Sequence, residues 1–356
     1  MPLTAATLVS NLTAPVNFVL MKGLLKAARK TCPYFNGTLP GQLEKRGGSA
    51  SVKWRRIENL SPATTALGEV TGTVAFGMGR DAVQPTITDL SVAMAKYGNP
   101  IYTTEEVDLY NVNSNSTALM ETLGANAGES LNILMRNVID TGASVVVRRA
   151  SGALADTTIV LSITVADIKY CVNQLNRNSA MKFFSEGNGS KNIGTSTVRS
   201  SYYGICHVDV EEDIRSLTGF IPVEQYGGYT ETDPGEFGAL GGVRWTTTEI
   251  APVSSSSATT TASGYRGASA TANDIYRTFI YGKEAVGSVG LGENMPTKVY
   301  KMYDRVPAIQ LMYNKPQVSV ADPFGEISVL SWKAFFAGKV LNGNWIARLS
   351  TLSKAL

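Results

Sequence analysis

No stretch of this 356-residue sequence approaches the ~18–20 consecutive apolar residues of a membrane-spanning helix. It holds one histidine, His207, and three cysteines, Cys32, Cys171 and Cys206. Zinc needs several Cys, His or carboxylate ligands at short spacings, and the Cys206-His207 pair has no partner motif, so no metal or cofactor is expected. Three widely separated cysteines do not make a disulfide framework and read as free thiols in a reducing cytoplasm. No charged segment precedes the first apolar residues, so no secretory signal is expected. There is no Gly-x-Ser-x-Gly elbow and no phosphate-binding loop. Charge is scarce as well, at 17% of residues against ~25% in typical soluble domains. Low charge without a membrane span points to a surface covered by partners. The net charge of +3 is nearly balanced, which does not suit a dedicated nucleic-acid binder. The length suits about two domains at ~150 residues each.

The chemistry-bearing residues concentrate between Ser201 and Glu249. Cys206, Val208 and Val210 alternate with His207 and Asp209, a period of two that predicts a half-buried strand with His207 and Asp209 on its polar face. Asp209 and Glu212 then have capping-box spacing, and Glu211, Glu212 and Asp213 fall in the first turn of a helix, where negative charge stabilises by ~0.3–1 kcal/mol each. Ile214 and Leu217 supply its apolar face, Arg215 its last turn and Gly219 its C-terminal cap. A hydrolase using His207 and Asp209 is the enzymatic alternative, since the two share a face. It lacks a nucleophile motif, so the acidic cluster is assigned to helix capping and no catalytic residue is assigned.

Elsewhere the pattern is that of a scaffold. Val16 to Lys30 forms a basic amphipathic helix, read as an arm that docks on a neighbouring domain or subunit. Ser51–Ile57 and the segment around Leu90, Val92 and Met94 read as strands. Between them Glu58 to Thr86 is long for a structureless loop, which suggests a two-stranded extension resting on something outside its own domain. Lys53, Arg55 and Arg56 suit ion pairs between subunits better than a phosphate-binding stripe. Thr103 opens a short capped helix. A long helix follows from Asn115 to Asp140, with Leu119, Leu123, Ala127, Leu131, Leu134 and Val138 as its stripe. Gly124 and Gly128 mark a close-packing face, and Gly142 ends the helix. Ser144 to Val147 restarts strand, and Thr164 opens a helix burying Ile168, Cys171, Val172 and Leu175. Gly187 to Ser196 and Ser254 to Ser269 read as surface loops. Ser328–Leu341 and Asn344–Thr351 flank Asn342-Gly343, a hairpin signal.

Several segments, in this order, resemble the major capsid proteins of tailed phages, specifically the family of the N-four-like podophages. They are KWRRIENLSPATTALGE at Lys53, AMAKYGNPIYTTEEVDL at Ala93, LGANAGESLNILMRNVIDTGASVV at Leu123, HVDVEEDIRSLTGF at His207 and GEFGALGGVRW at Gly235. GKEAVGSVGLG at Gly282 and DPFGEISVLSWKAFFAGKVLN at Asp322 continue the match, which runs from about Phe18 to about Trp345.

The resemblance implies an α+β chain with the Hong Kong-phage capsid fold. Its parts would be an N-terminal arm (1–50), an extended loop (51–98), a peripheral domain with the spine helix (99–161 and 270–356) and an axial domain (162–269). It implies a virion protein, assembled in the host bacterial cytoplasm, that associates with itself as hexameric and pentameric capsomers. A portal protein at one vertex, a decoration or scaffolding protein, and packaged DNA held without sequence specificity are the other implied partners; a membrane is not. Some shells of this fold cross-link a loop lysine to a neighbour's asparagine. Here no lysine lies between Lys53 and Lys96, so a non-covalent shell is expected, and with no fused charged N-terminal scaffold segment, no maturation cleavage. The remaining alternative is another virion-associated scaffold or a surface adhesin.

Overall fold

The computed structural model describes residues 32–43, 51–58, 60, 62, 64, 85–110, 115–142, 146–183, 200–225, 235–258, 263–267, 272–291, 309–318 and 322–355. The helix expected at Val16–Lys30, most of the segment after Glu58 and the loop expected at Gly187–Ser196 lie outside them. Helices and strands mix in the expected α+β manner, and the strands gather into a five-stranded sheet, an eight-stranded sheet and a two-stranded hairpin.

A 3-10 turn, Pro33–Phe35, leads into strand β1 (Leu39–Leu43). Strands β2 (Ser51–Ile57) and β3 (Ile87–Ala93) pair antiparallel from Ser51↔Ala93 to Ile57↔Ile87, which is the expected extension. β3 runs on into β4 (Ala95–Thr104), and helix α1 (Glu105–Tyr110) follows. Thr103 does not open that helix, because its main chain is taken up in β4 opposite Ser328. Helix α2 spans Asn115–Asp140, the bounds its apolar period predicts, and is about 39 Å long at ~1.5 Å per residue. Its buried face is turned slightly from the expected stripe. Met120, Leu123, Ala127, Leu131, Met135 and Ile139 form the contact, with Leu119, Leu134 and Val138 half-buried beside it. The two unbranched methionines fill the irregular space under the helix that a leucine-only stripe would leave. Gly128 is where another segment comes close: the Cys32 thiol donates to its carbonyl at 3.4 Å, and the Tyr34 amide donates to Asn132 Oδ1 at 3.2 Å.

Strand β5 (Val146–Arg149) precedes helix α3 (Val165–Arg177). Thr164 caps α3 as predicted, its hydroxyl oxygen accepting from the Asp167 amide at 3.2 Å. Strand β6 (Tyr202–His207) continues directly into helix α4 (Val208–Arg215). After β7 (Ile221–Pro222), β8 (Glu236–Leu240) and β9 (Val243–Thr248) form a hairpin. Its turn residues Gly241 and Gly242 have φ of 65° and 84°, the left-handed pair that a two-residue primed turn demands. β10 (Val253–Ala258) corrects the loop expected from Ser254 onward: it pairs with the first half of β11 (Asn273–Tyr281). Its serines gain main-chain partners at a sheet that already exists, which composition does not register. Strands β12 (Val286–Leu291), β13 (Ile309–Asn314), β14 (Ile327–Val340) and β15 (Ile346–Thr351) complete the chain.

Asn342-Gly343 does not close a hairpin. Asn342 has φ −141°, whereas either primed hairpin turn needs positive φ at its first central residue. Its Oδ1 instead accepts from the Asn344 amide at 3.2 Å, starting a 3-10 turn that sends the chain from one sheet to the other. β14 belongs to the five-stranded sheet, between β12 and β13 on one edge and β4 on the other, with β1 parallel to β12. β15 belongs to the eight-stranded sheet, ordered β5-β15-β11-β6-β9-β8-β7 with β10 on β11.

Leu330, Trp332, Ala334 and Phe336 of β14 point into one core with the α2 stripe. The same core takes Tyr203 and Ile205 of β6 and Phe279 and Tyr281 of β11. The intervening residues Tyr202, Cys206, Tyr276 and Ile280 enter a second core under α3 and α4. The eight-stranded sheet is thus covered on both faces, so β6 is buried from Tyr202 to Cys206. At its centre Gly204 lets Trp245 close in: a Cβ there would sit 2.7 Å from the indole.

Candidate functional site

The strand expected through Val210 stops at His207. Its Nδ1 accepts from the Asp209 amide at 3.1 Å, so the histidine, not Asp209, caps the following helix. An imidazole lone pair can meet an orphan amide as a serine or aspartate oxygen does. Asp209 and Glu211 then lie in the first turn, where the helix dipole favours them. Gly219 does not cap α4 directly; Ser216 does, and Gly219, with φ of 92°, serves the next turn.

His207 and Asp209 do come together, with Nδ1 3.3 Å from Asp209 Oδ2. The Tyr276 hydroxyl donates to that oxygen at 2.9 Å, and Arg266 Nη1 lies 3.0 Å from Oδ1. The Ser353 hydroxyl donates to the Asp209 main-chain carbonyl at 2.7 Å. Burial lowers the His207 pKa below 6.5, opposed by the Asp209 carboxylate and by a hydrogen bond to the Glu249 main chain. The neutral ring therefore has one nitrogen accepting from α4 and the other donating to the segment after β9. That is a joint between chain segments, with the nearby serine engaged in donation rather than presented to a base.

The three thiols are buried. Desolvation pushes Cys32 and Cys171 up to about 12 and Cys206 higher still, the reverse of a reactive cysteine. Among the described residues no group of three or more His, Cys, Asp or Glu side chains is gathered to hold a metal ion, and no helix is long and apolar enough to cross a membrane.

Sequence reasoning missed the buried and part-buried ion pairs. Glu236 and Arg244, flanking the Gly-Gly turn, form a two-pronged pair with Arg244 Nε 2.6 Å from Oε1, and both side chains are almost wholly buried. Asp167 is fully buried against Arg148 at 2.8 Å. Asp140, at the end of α2, takes Arg277 at 2.7 Å and Arg348 at 3.3 Å. The hairpin turn in GEFGALGGVRW places Glu236 and Arg244 near one another, a signal that was available; the other partners are far apart in sequence.

The hairpin presents a different surface. Arg55 pairs with its cross-strand partner Asp89 at 3.0 Å, and Arg56 with Glu58 at 2.8 Å, so each of these exposed arginines has an acidic partner within its own chain. Arg56 also donates to the Leu341 carbonyl at 3.0 Å. Val52 and Trp54 rest on Val289 and Ala337, which seats the base of the hairpin on its own chain. A groove of about 420 Å³ lies between this hairpin and the sheet-switch turn, lined by Trp54, Leu90, Met181, Leu341 and Trp345 among others. Farther along, Ile57 and Ile87 are more than half exposed. At the start of β14, Phe324 is 82% exposed on a tight turn. The Ile327 amide and its neighbours point at Asp322 and hold that carboxyl below its usual range.

No family model and no curated protein matches the sequence. Solved structures do match the fold. The capsid of Ralstonia phage GP4 superposes with a TM-score of 0.59 at 10% identity over 92% of each chain. The head of Helicobacter pylori bacteriophage KHP40 gives 0.53 at 10%, covering 90% of this chain and 92% of that one. The capsid of cyanophage P-SCSP1u gives 0.52 at 11%, covering 91% and 89%. The chain therefore has the fold seen in tailed-phage capsids, the Hong Kong-phage type, over almost its whole length.

Proposed function

We propose that this chain is a major capsid protein, the repeating subunit of an icosahedral shell around the double-stranded DNA of a tailed phage. The observation that carries the reading is the fold, which superposes on phage capsid and head structures over about nine-tenths of both chains. Scarce charge and exposed apolar residues on the hairpin agree with a surface completed by further copies. The ordered segments quoted above favour the N-four-like podophage family. In this reading residues 1–50 are the arm, 51–98 the extended loop, 162–269 the axial domain, and 99–161 with 270–356 the peripheral domain. β5, β11 and β15, assigned in this reading to the peripheral part, share one sheet with the strands assigned to the axial part, which would tie the two domains together. Hexameric and pentameric capsomers, a portal at one vertex, a decoration or scaffolding protein, and DNA bound without sequence readout would be the partners. Assembly would take place in the host cytoplasm, with a structural rather than catalytic role.

Negative-stain microscopy of the purified chain tests this. Closed shells, tubes or hexameric rings are expected, and a persistent monomer at high concentration would overturn the reading. Boiled in denaturant, assembled particles should run as one band near 38.0 kDa; an oligomer ladder would refute the non-covalent shell.

A further inference from the structure

Helix α4 holds residues 353 and 354 through Asp209 in its first turn and Asp213 in its second. Ser353 donates to the Asp209 carbonyl at 2.7 Å, and the Lys354 amide donates to Asp213 Oδ2 at 3.1 Å. From the other side, the Arg266 amide donates to the Ser353 carbonyl and the Ala355 amide to the Gly264 carbonyl, each at 2.9 Å. Arg266 Nη1 reaches Asp209 Oδ1, so helix, turn and tail close into one clasp. His207 caps that helix, and it is the only histidine in the chain.

We infer that His207 is a proton-operated release for this clasp: adding a proton to its ring withdraws the lone pair that caps α4 and loosens residues 352–355 held against that helix. A protonated Nδ1 would face the Asp209 amide donor to donor. Its nearest acceptor is Asp209 Oδ2, already engaged by Tyr276. Re-pairing there draws the carboxylate away from Tyr276 and Arg266. The charged and titratable groups acting on the ring are Asp209 on α4, Glu249 after β9 and Arg266 in the 263–267 turn, with Tyr276 of β11 packed against it; Glu211 and Asp213 on α4, Asp274 on β11 and Lys354 act one step out, on its neighbours. The carboxylates favour the proton, while burial and Arg266 oppose it. Because burial prevails, the ring is held below 6.5 and the unfolded chain takes the proton first. The cap's contribution is therefore complete above pH 6.5 and is lost as pH falls below it. No other side chain type titrates there unperturbed.

Hydrogen exchange of the 350–355 peptide, corrected for intrinsic rates, reads the clasp directly. Wild type and His207→Asn are compared at pH 7.5 and 5.5. Asparagine keeps a capping oxygen and does not titrate. Wild-type opening should rise several-fold at pH 5.5 while His207→Asn stays level; an equal rise in both, or none in wild type, overturns the inference. If the variant fails to fold, carbon-13-labelled wild type yields a single histidine resonance. Its midpoint should lie below 6.5 and coincide with faster C-terminal exchange. A midpoint above 6.5, or exchange that ignores it, rejects the proposal. None of these outcomes depends on shell assembly.

Discussion

Strand β6 and the β2–β3 hairpin show two ways for one chain to finish a sheet. β6 buries five of its six residues, whereas β2 buries one of seven and β3 none. β6 lies between β11 and β9, with a core on each face. Among the described residues the hairpin has no third strand, and one side of β2 is seated on its own chain, through Val52, Trp54 and Arg56. At the outer rung of the ladder Ile57 and Ile87 pair in full view of solvent. A two-stranded ribbon is marginal alone, so this one is anchored along one side of β2, with Ile57 and Ile87 at its outer rung left for another surface to cover. Substitutions should accordingly divide, those around β6 acting on folding and those on the outer hairpin acting on association.

The largest expected effect is on the closed side. Trp245 is fully buried beside Gly204, and Trp245→Ala should cost ~3–5 kcal/mol in denaturant unfolding. A cost below ~1 kcal/mol would mean that the eight-stranded sheet is not closed as described. Next comes Glu236→Gln, which leaves the buried Arg244 charge facing a neutral amide. Breaking one side of such a pair costs ~3–5 kcal/mol, and Gln, by keeping a hydrogen-bonding oxygen, should fall at the lower end. The comparison is sharpest in the double variant Ile57→Ser with Ile87→Ser. Unfolding of unassembled protein should change by no more than ~0.5 kcal/mol, as for exposed positions generally, while particle yield drops severely. Normal particles from that variant would show that nothing covers the hairpin.

The sequence was most legible where a local period decides. Met120 to Ile139 repeats at helical spacing over many turns, so α2 could be bounded in advance, and Thr164 with Asp167 announced the start of α3. It was least legible where distant elements decide. Val208 and Val210 continue an alternation that His207 ends, because a histidine cap is not a usual start signal. Asn342-Gly343 has the composition of a hairpin turn, but the two strands it joins are claimed by different sheets. The serines of β10 have a strand's backbone only because β11 is beside them. The fold class and its main helix could be read locally, while the part-buried pair Asp140–Arg277 and the pair Arg148 makes with buried Asp167 depend on packing that no short window contains.

The smallest effect belongs to the clasp itself and has the opposite sign to that of His207. Burial raises the Asp213 pKa above 3.8, against the Lys354 amide that hydrogen-bonds it. A carboxyl raised in the folded state favours folding while protonated, and that contribution is lost as pH rises through its folded value. At neutral pH the ionised Asp213 thus costs stability, whereas an asparagine could accept from Lys354 without the charge. Asp213→Asn should melt slightly above wild type at pH 7, and the difference should vanish as the pH approaches 3.8. A lower melting temperature at pH 7 would mean that the tail needs the negative charge itself, through Lys354 and Arg266, and that the clasp is held by ion pairing rather than by its main-chain hydrogen bonds.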